Sequence, residues 1–334
     1  MRNTDIQEPR PASATSGTDA GEEFFSVRVV RKEQVAQGIF LMELRHPDGD
    51  ELPPFTAGSH ITVLVPNGSR RNYSLCSDPA RQDVWEIAIK RDPAGRGGSM
   101  SMVDDVQAGQ ILHVTAPRNN FELSPRARSF QFIAGGIGIT PIISMMRHLK
   151  STGNSRFKLL YLARDPDCTA FSRELKEEFP GQVTIHHDFG DRARALDLWP
   201  FLETPSNAHI YCCGPQGLMD AVKDMSGHWT SGTVHFESFG VDARIEASNR
   251  PFQVRLASGP VFEVGSHESI LEVLRKHGIR VSSSCESGTC GSCRVGLLGG
   301  LAEHRDMVLQ ESEHSCQIMV CVSRAKTPEI LLAL

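Results

Sequence analysis

Three thiols at C-x₄-C-x₂-C spacing, Cys285, Cys290 and Cys293, share a stretch whose other residues are nearly all small. A fourth, Cys321, follows 28 positions after Cys293, inside the apolar run Ile318-Met319-Val320-Cys321-Val322. This is the plant-type pattern for a [2Fe–2S] cluster, a carrier of single electrons. The small residues have a physical reason. Bridging sulfides carry negative charge, so main-chain N–H groups must crowd around them, and Gly288 and Gly291 remove side chains that would block the approach. Zinc is a rival, but structural zinc sites usually pair two separated C-x₂-C knuckles, whereas three of these cysteines sit in one tight loop. A disulfide framework suits the odd total of nine cysteines poorly.

Four other stretches could do chemistry. Arg71-Asn72-Tyr73-Ser74 combines a cation, an aromatic ring and a hydroxyl, which could stack on a planar cofactor and hold a phosphate. The same residues also suit an ordinary strand with a surface arginine. Gly95-Arg96-Gly97-Gly98-Ser99, preceded by Lys90 and Arg91, could form an anion nest of main-chain N–H groups, or a flexible hairpin loop. Gly135, Gly136 and Gly138 lie between an apolar run and a helical pattern, where a pyrophosphate could approach a helix N-terminus. Pro141 stands where G-x-G-x-x-G needs its last glycine, so the loop departs from the standard Rossmann fingerprint; a turn without ligand is the alternative. Asp165, at the end of the next strand, suits a ribose 2′-hydroxyl and so NADH, with neighbouring Arg164 as a counter-indication. Cys213-Gly214-Pro215 repeats the strand–turn–helix arrangement. Cys213 could meet a nicotinamide ring or simply pack in the core.

These residues need elements to position them. From 24 to 123 short strands follow one another with almost no helix between, which argues for an antiparallel barrel. From 125 to 240 strands alternate with helices, the sign of a parallel, doubly wound sheet. Thr140 is expected to cap a helix over 142–150, and further helices are expected at 171–179 and 216–225. Residues 241–250 lose apolar periodicity and are expected to be a linker. From 251 to 334 two strands, a helix over 269–277, the cysteine loop and a closing strand over 317–323 form a third, α+β unit. Residues 1–22 are polar and are expected to be a disordered leader.

Composition narrows the function classes. Hydrophobic residues make up 40% and charged residues 22%, and the net charge is −5. Nothing here argues for nucleic acid or an anionic membrane, and no run of 18 apolar residues exists. Reduced thiols in a cytoplasm are expected, with Cys76, Cys168, Cys212 and Cys316 as small packing residues.

With these motifs in this order, and with Val234-His235-Phe236-Glu237-Ser238-Phe239-Gly240 and Glu303-His304-Arg305-Asp306-Met307-Val308-Leu309 beside them, the chain resembles the phthalate dioxygenase reductase family of the ferredoxin-reductase superfamily. The resemblance implies FMN in the barrel, NADH on the parallel sheet and a C-terminal plant-type ferredoxin domain. It carries flavin contacts onto Arg71, Asn72, Tyr73, Ser74, Ile89, Lys90, Arg91, Gly97, Gly98, Ser99 and Met100, with Thr140 and Phe239 bordering the ring. Cluster ligands carry over to Cys285, Cys290, Cys293 and Cys321, with Cys316 as a minor alternative. The implied activity divides a hydride into single electrons for a separate oxygenase component, a Rieske non-haem iron dioxygenase acting on phthalate. A vanillate-type O-demethylase as partner is the alternative, and a non-catalytic carrier a further one. Nine acids against eight bases in 251–334 make electrostatic steering toward a partner modest.

Overall fold

Val27 and Val29 are buried while Arg28 and Val30 face outward, the alternation that gives Phe24–Ala36 (β1) one face in a core. The computed structural model describes residues 23–95, 97–239, 249–283 and 285–334; the expected leader and most of the expected linker lie outside them. β1 joins β2 (Ile39–Arg45), β3 (Ser59–Leu64), β4 (Arg70–Ser74), β5 (Trp85–Lys90), β6 (Ile111–Thr115) and the short β7 (Arg118–Asn119) in one antiparallel sheet. Its order is β4-β3-β6-β1-β2-β5, with β7 on β3. A bridge between Leu75 and Ile87 ties the chain just past β4 back to β5 and closes the barrel. Val27, Met42, Ile61, Val63, Trp85 and Ile87 fill the interior. Helix α1 (Gly98–Asp105) follows β5, where the sequence suggested an anion nest or a flexible hairpin loop and no helix.

Five strands form the parallel sheet: β8 (Ser129–Gly135), β9 (Phe157–Ala163), β10 (Val183–His187), β11 (Ala208–Cys213) and β12 (Val234–Glu237). Their order, β10-β9-β8-β11-β12, reverses direction between β8 and β11, which makes a switch point. Helices α2 (Ile139–Ser151), α3 (Ser172–Glu178), α4 (Trp199–Leu202) and α5 (Gln216–Met225) complete the unit. Gln216–Met225 matches its expected span. The α2 expectation needs correcting. A 3₁₀ turn over Gly136–Gly138 runs straight into the helix, so α2 starts at Ile139 and Gly138 is its N-cap. Thr140 lies within the first turn, its hydroxyl donating to the Ile137 carbonyl at 3.0 Å. One sheet face shares its core with the barrel, through Ile39, Leu41 and Phe121 against Phe132, Ile142 and Tyr211; the other buries Leu202, Met219 and Val222.

The third unit holds β13 (Phe252–Leu256), β14 (Val261–Val264), α6 (Ile270–Lys276), β15 (Arg294–Gly299), β16 (Ala302–Glu303), β17 (Gln317–Met319), β18 (Arg324–Ala325) and β19 (Glu329–Leu332). The main sheet runs β14-β13-β19-β15-β17, with β13 and β19 parallel and the other pairs antiparallel; β16 pairs with β18. The expected closing strand is therefore shorter and lies at an edge, and the last strand, β19, sits at the centre. Ser269 caps α6 in a reciprocal capping box with Glu272. No helix among the described residues is long and apolar enough to cross a membrane.

Candidate functional site

The cysteine loop hangs between α6 and β15. Arg275, in the last turn of α6, donates to Ser283 at 3.1 Å and to Glu286 at 2.7 Å, pinning the loop's start. Glu286 and Gly288 take positive φ, and a Cβ at Gly288 would stand 2.8 Å from Val322 and 3.2 Å from the Asp306 backbone. The tight path turns main-chain donors onto sulfur. Ser287 and Thr289 N–H both point at Cys285 Sγ (3.4 Å each), and Cys285 N–H points at Cys290 Sγ (3.5 Å). The four thiols form two hydrogen-bonded pairs, Cys285 with Cys290 and Cys293 with Cys321. Within each pair the shared hydrogen bond pulls one thiol (Cys285, Cys293) below its ordinary value and pushes its partner (Cys290, Cys321) above it. Two thiolates per iron, with N–H donors around them, is a donor set that fits a binuclear cluster. Cys316 stands apart, exposed, its thiol turned to the Glu313 carbonyl. That corrects its expected packing role, because a hydrogen-bonded turn carries it to the surface. Cys168 is likewise only half-buried, whereas Cys76 and Cys212 are core residues.

On β4, Tyr73 lies opposite Ile61 and packs against the barrel core, yet its buried hydroxyl has no hydrogen-bond partner among the described residues. A barrel core needs no tyrosine hydroxyl there; a polar ligand would complete it. Arg71 lies across the start of α1. A Cβ on Gly98 would come within 2.4 Å of Arg71 Nε, so only glycine allows this approach. Gly97, at φ 80°, precedes the helix without a side-chain cap, leaving first-turn N–H groups free to meet an anion. Ser99 Oγ accepts from Asp92 N–H at 3.1 Å, and Met100 is half-buried in the same turn. Asn72 is exposed and accepts from Thr62 at 2.8 Å. The Ile89 side chain points into the barrel core, so only its backbone could meet a ligand. Lys90 is exposed at the end of β5, and Arg91 is engaged by Asp104 at 2.8 Å. Arg96 lies outside the described residues.

Thr140 is buried and Phe239 is 49% exposed just past β12. On β12 lies a residue that sequence reasoning did not single out. Glu237 is buried and accepts from Ser74 Oγ at 3.4 Å; burial raises its carboxyl to about 8, and the charge of Cys285 adds to the shift. His60, opposite Ser74 on β3, is lowered by burial against the opposing pull of Cys285. One strand pair of the barrel, the last strand of the parallel sheet and the cluster loop thus meet at one place. The only sequence signal for Glu237 was its stretch beside Phe239.

At the switch point two loops abut. A Cβ at Gly138 would stand 2.2 Å from the Cys213 carbonyl oxygen, and one at Gly135 would stand 2.6 Å from Pro215 Cδ. Gly214 completes the close approach, with a Cβ there 2.9 Å from Gly135 Cα, while Gly136 takes a positive φ (54°) in open space. Cys213 itself is fully buried in the core below, its thiol pushed well up by burial. Asp165 lies two residues past β9, where one carboxylate oxygen accepts the Cys168 N–H at 2.9 Å and the side chain faces solvent. Phe189 beside it went unnoticed in the sequence. It is 52% exposed, at φ 56°, held by its N–H to the Arg164 carbonyl, with the Arg194 guanidinium 4.3 Å from its ring centroid.

Residues 26–123 match the family described as oxidoreductase FAD-binding domain, and residues 256–326 match the 2Fe-2S iron-sulfur cluster binding domain. The phthalate 4,5-dioxygenase oxygenase reductase subunit of Pseudomonas putida is 56% identical over 323 residues, 96% of this chain and 100% of that protein. The chain belongs to the phthalate dioxygenase reductase family. A solved member, described as a modular structure for electron transfer from pyridine nucleotides to [2Fe-2S], is 54% identical and superposes with a TM-score of 0.77 over 93% of this chain and 98% of that one. The vanillate O-demethylase oxidoreductase of Pseudomonas putida is 38% identical, over 92% of this chain and 98% of that protein. Like its family, the chain is an oxidoreductase that joins a flavin domain to a [2Fe–2S] domain.

Proposed function

We propose that the chain takes electrons from NADH, carries FMN and a [2Fe–2S] cluster, and delivers single electrons to the oxygenase component of a phthalate dioxygenase in the cytoplasm. The observation that carries this reading is the convergence of Ser74, Glu237 and His60 within electrostatic reach of Cys285. It supports a short path between a flavin on β4, the end of the parallel sheet and the cysteine loop. When bound, the two groups supply the conversion of a two-electron hydride into single electrons.

The protein's share is positioning. Arg71 and the first turn of α1, with Gly97, Gly98, Ser99 and Met100, hold the FMN phosphate. Tyr73 and Ser74 orient the ring, Thr140 and Phe239 border it, and Asn72, Ile89, Lys90 and Arg91 line its approach. Gly135, Gly136 and Gly138, with Gly214 and Pro215, leave room for the NADH pyrophosphate at α2. Asp165 takes the adenine-side ribose, and Cys213 supports this edge from below. The relatives' names support an oxygenase partner, and the chain's greater likeness to the phthalate reductases favours phthalate over vanillate. The test is reconstitution. With NADH and this chain, a phthalate dioxygenase oxygenase component should hydroxylate phthalate severalfold faster than a vanillate demethylase component turns over vanillate. Equal or reversed rates would transfer the assignment to the vanillate-type system.

A further inference from the structure

Helix α1 offers its N-terminus to the flavin phosphate, yet at eight residues it is too short to hold its direction unaided. Its far end is held by a cation from another strand. Lys32, half-buried on β1, donates to the main-chain carbonyls of Val103 and Val106 at 2.5 and 2.7 Å. These are carbonyls at the C-terminal end of α1, where the helix has no further N–H to offer them. The Lys32 ammonium also lies 5.8 Å from the centroid of the Phe40 ring on β2. Arg91 grips the same end, donating to both carboxylate oxygens of Asp104 at 2.8 to 3.2 Å. Both cations sit where the helix dipole favours positive charge. Val103 and Val106 also pack with Val27 and Val29 of β1 in the barrel core, and to this apolar contact Lys32 adds directed hydrogen bonds at the helix carbonyls.

We propose that Lys32 is a positioning residue for the flavin phosphate. Fixed at the C-terminal end of α1, its charge aligns the helix so that the first-turn N–H groups and Arg71 face one point. Lys32 touches neither flavin nor substrate; it acts through the helix. The inference rests on the placement of the FMN phosphate at α1 proposed above.

The test compares FMN with riboflavin, which differs only in lacking the phosphate. Full-length protein is stripped of flavin and titrated with each ligand by fluorescence quenching. Wild type should bind FMN at least about tenfold more tightly than riboflavin. Lys32→Met should weaken FMN by about tenfold and leave riboflavin within about twofold. Lys32→Arg, which keeps the charge and donors, should restore most of the FMN preference. Equal losses of FMN and riboflavin in Lys32→Met would make Lys32 a mere barrel stabiliser and overturn the proposal, as would no loss of either. Should Lys32→Met fail to fold, Lys32→Gln keeps one donor and should show the same selective loss, about threefold. A wild type that does not prefer FMN would instead overturn the phosphate placement at α1, and the Lys32 role with it.

Discussion

Asp165 combines two duties that one substitution can separate. Its carboxylate caps the turn at Pro166–Cys168 through the Cys168 N–H, which holds its pKa below the usual range, and the rest of the side chain faces solvent. Asp165→Asn keeps an oxygen acceptor for the cap and removes only the charge. We expect KM for NADH to rise severalfold, KM for NADPH to change little, and thermal stability to stay within about 1 kcal/mol. Equal losses for both nucleotides in steady-state kinetics would remove the ribose role. At this scale the sequence was most informative where chemistry dictates spacing. The four cysteines proposed to hold two irons have intervals that a plant-type cluster dictates, legible without any tertiary information. Glu237 and Phe189 were invisible for the opposite reason. Glu237 matters because the barrel and the cluster loop fold against it, and Phe189 because a left-handed backbone holds it outward beside Asp165.

Among the elements, the glycine turn before α2 bears the tightest constraint. At Gly138 a methyl group would strike the Cys213 carbonyl, a backbone atom that can move only with β11. Gly136, two residues earlier, has a left-handed φ but nothing within 4 Å. Gly138→Ala should therefore cost about 2–4 kcal/mol by overpacking, and Gly136→Ala only the left-handed strain of about 1–2 kcal/mol. Chemical denaturation of the two variants checks the order; equal costs would mean the two loops are not in contact. Strands and helices with clear periodicity were predictable, such as Gln216–Met225 and the parallel strands. Helix α1 was not, because a Gly-Gly-Ser start carries no helical signal and its end is fixed by Lys32 and Arg91 from other strands. The central position of β19 was equally hidden, since pairing with β13 joins residues far apart in the chain.

For the whole molecule, the barrel and the parallel sheet share one core and are bolted together by Arg147. From α2 it donates to the Cys76 carbonyl at 2.8 Å, to Glu86 of the barrel at 3.0 Å and to Glu178 at 3.1 Å. With 17% of each side chain exposed, the Arg147–Glu86 pair is poorly solvated. Arg147→Ala strands Glu86 and the Cys76 carbonyl, and should destabilise by about 2–4 kcal/mol. Calorimetry should then resolve separate barrel and nucleotide-sheet transitions; one unshifted transition would show that the shared core alone joins them. The central claim, that one chain carries electrons from NADH through flavin to iron and sulfur, is tested most directly by anaerobic titration of the purified protein with NADH. Visible absorbance and electron paramagnetic resonance are followed together. Bleaching of the flavin band with the simultaneous rise of a reduced [2Fe–2S] signal is the predicted result. Bleaching without that signal, or no bleaching at all, would contradict it.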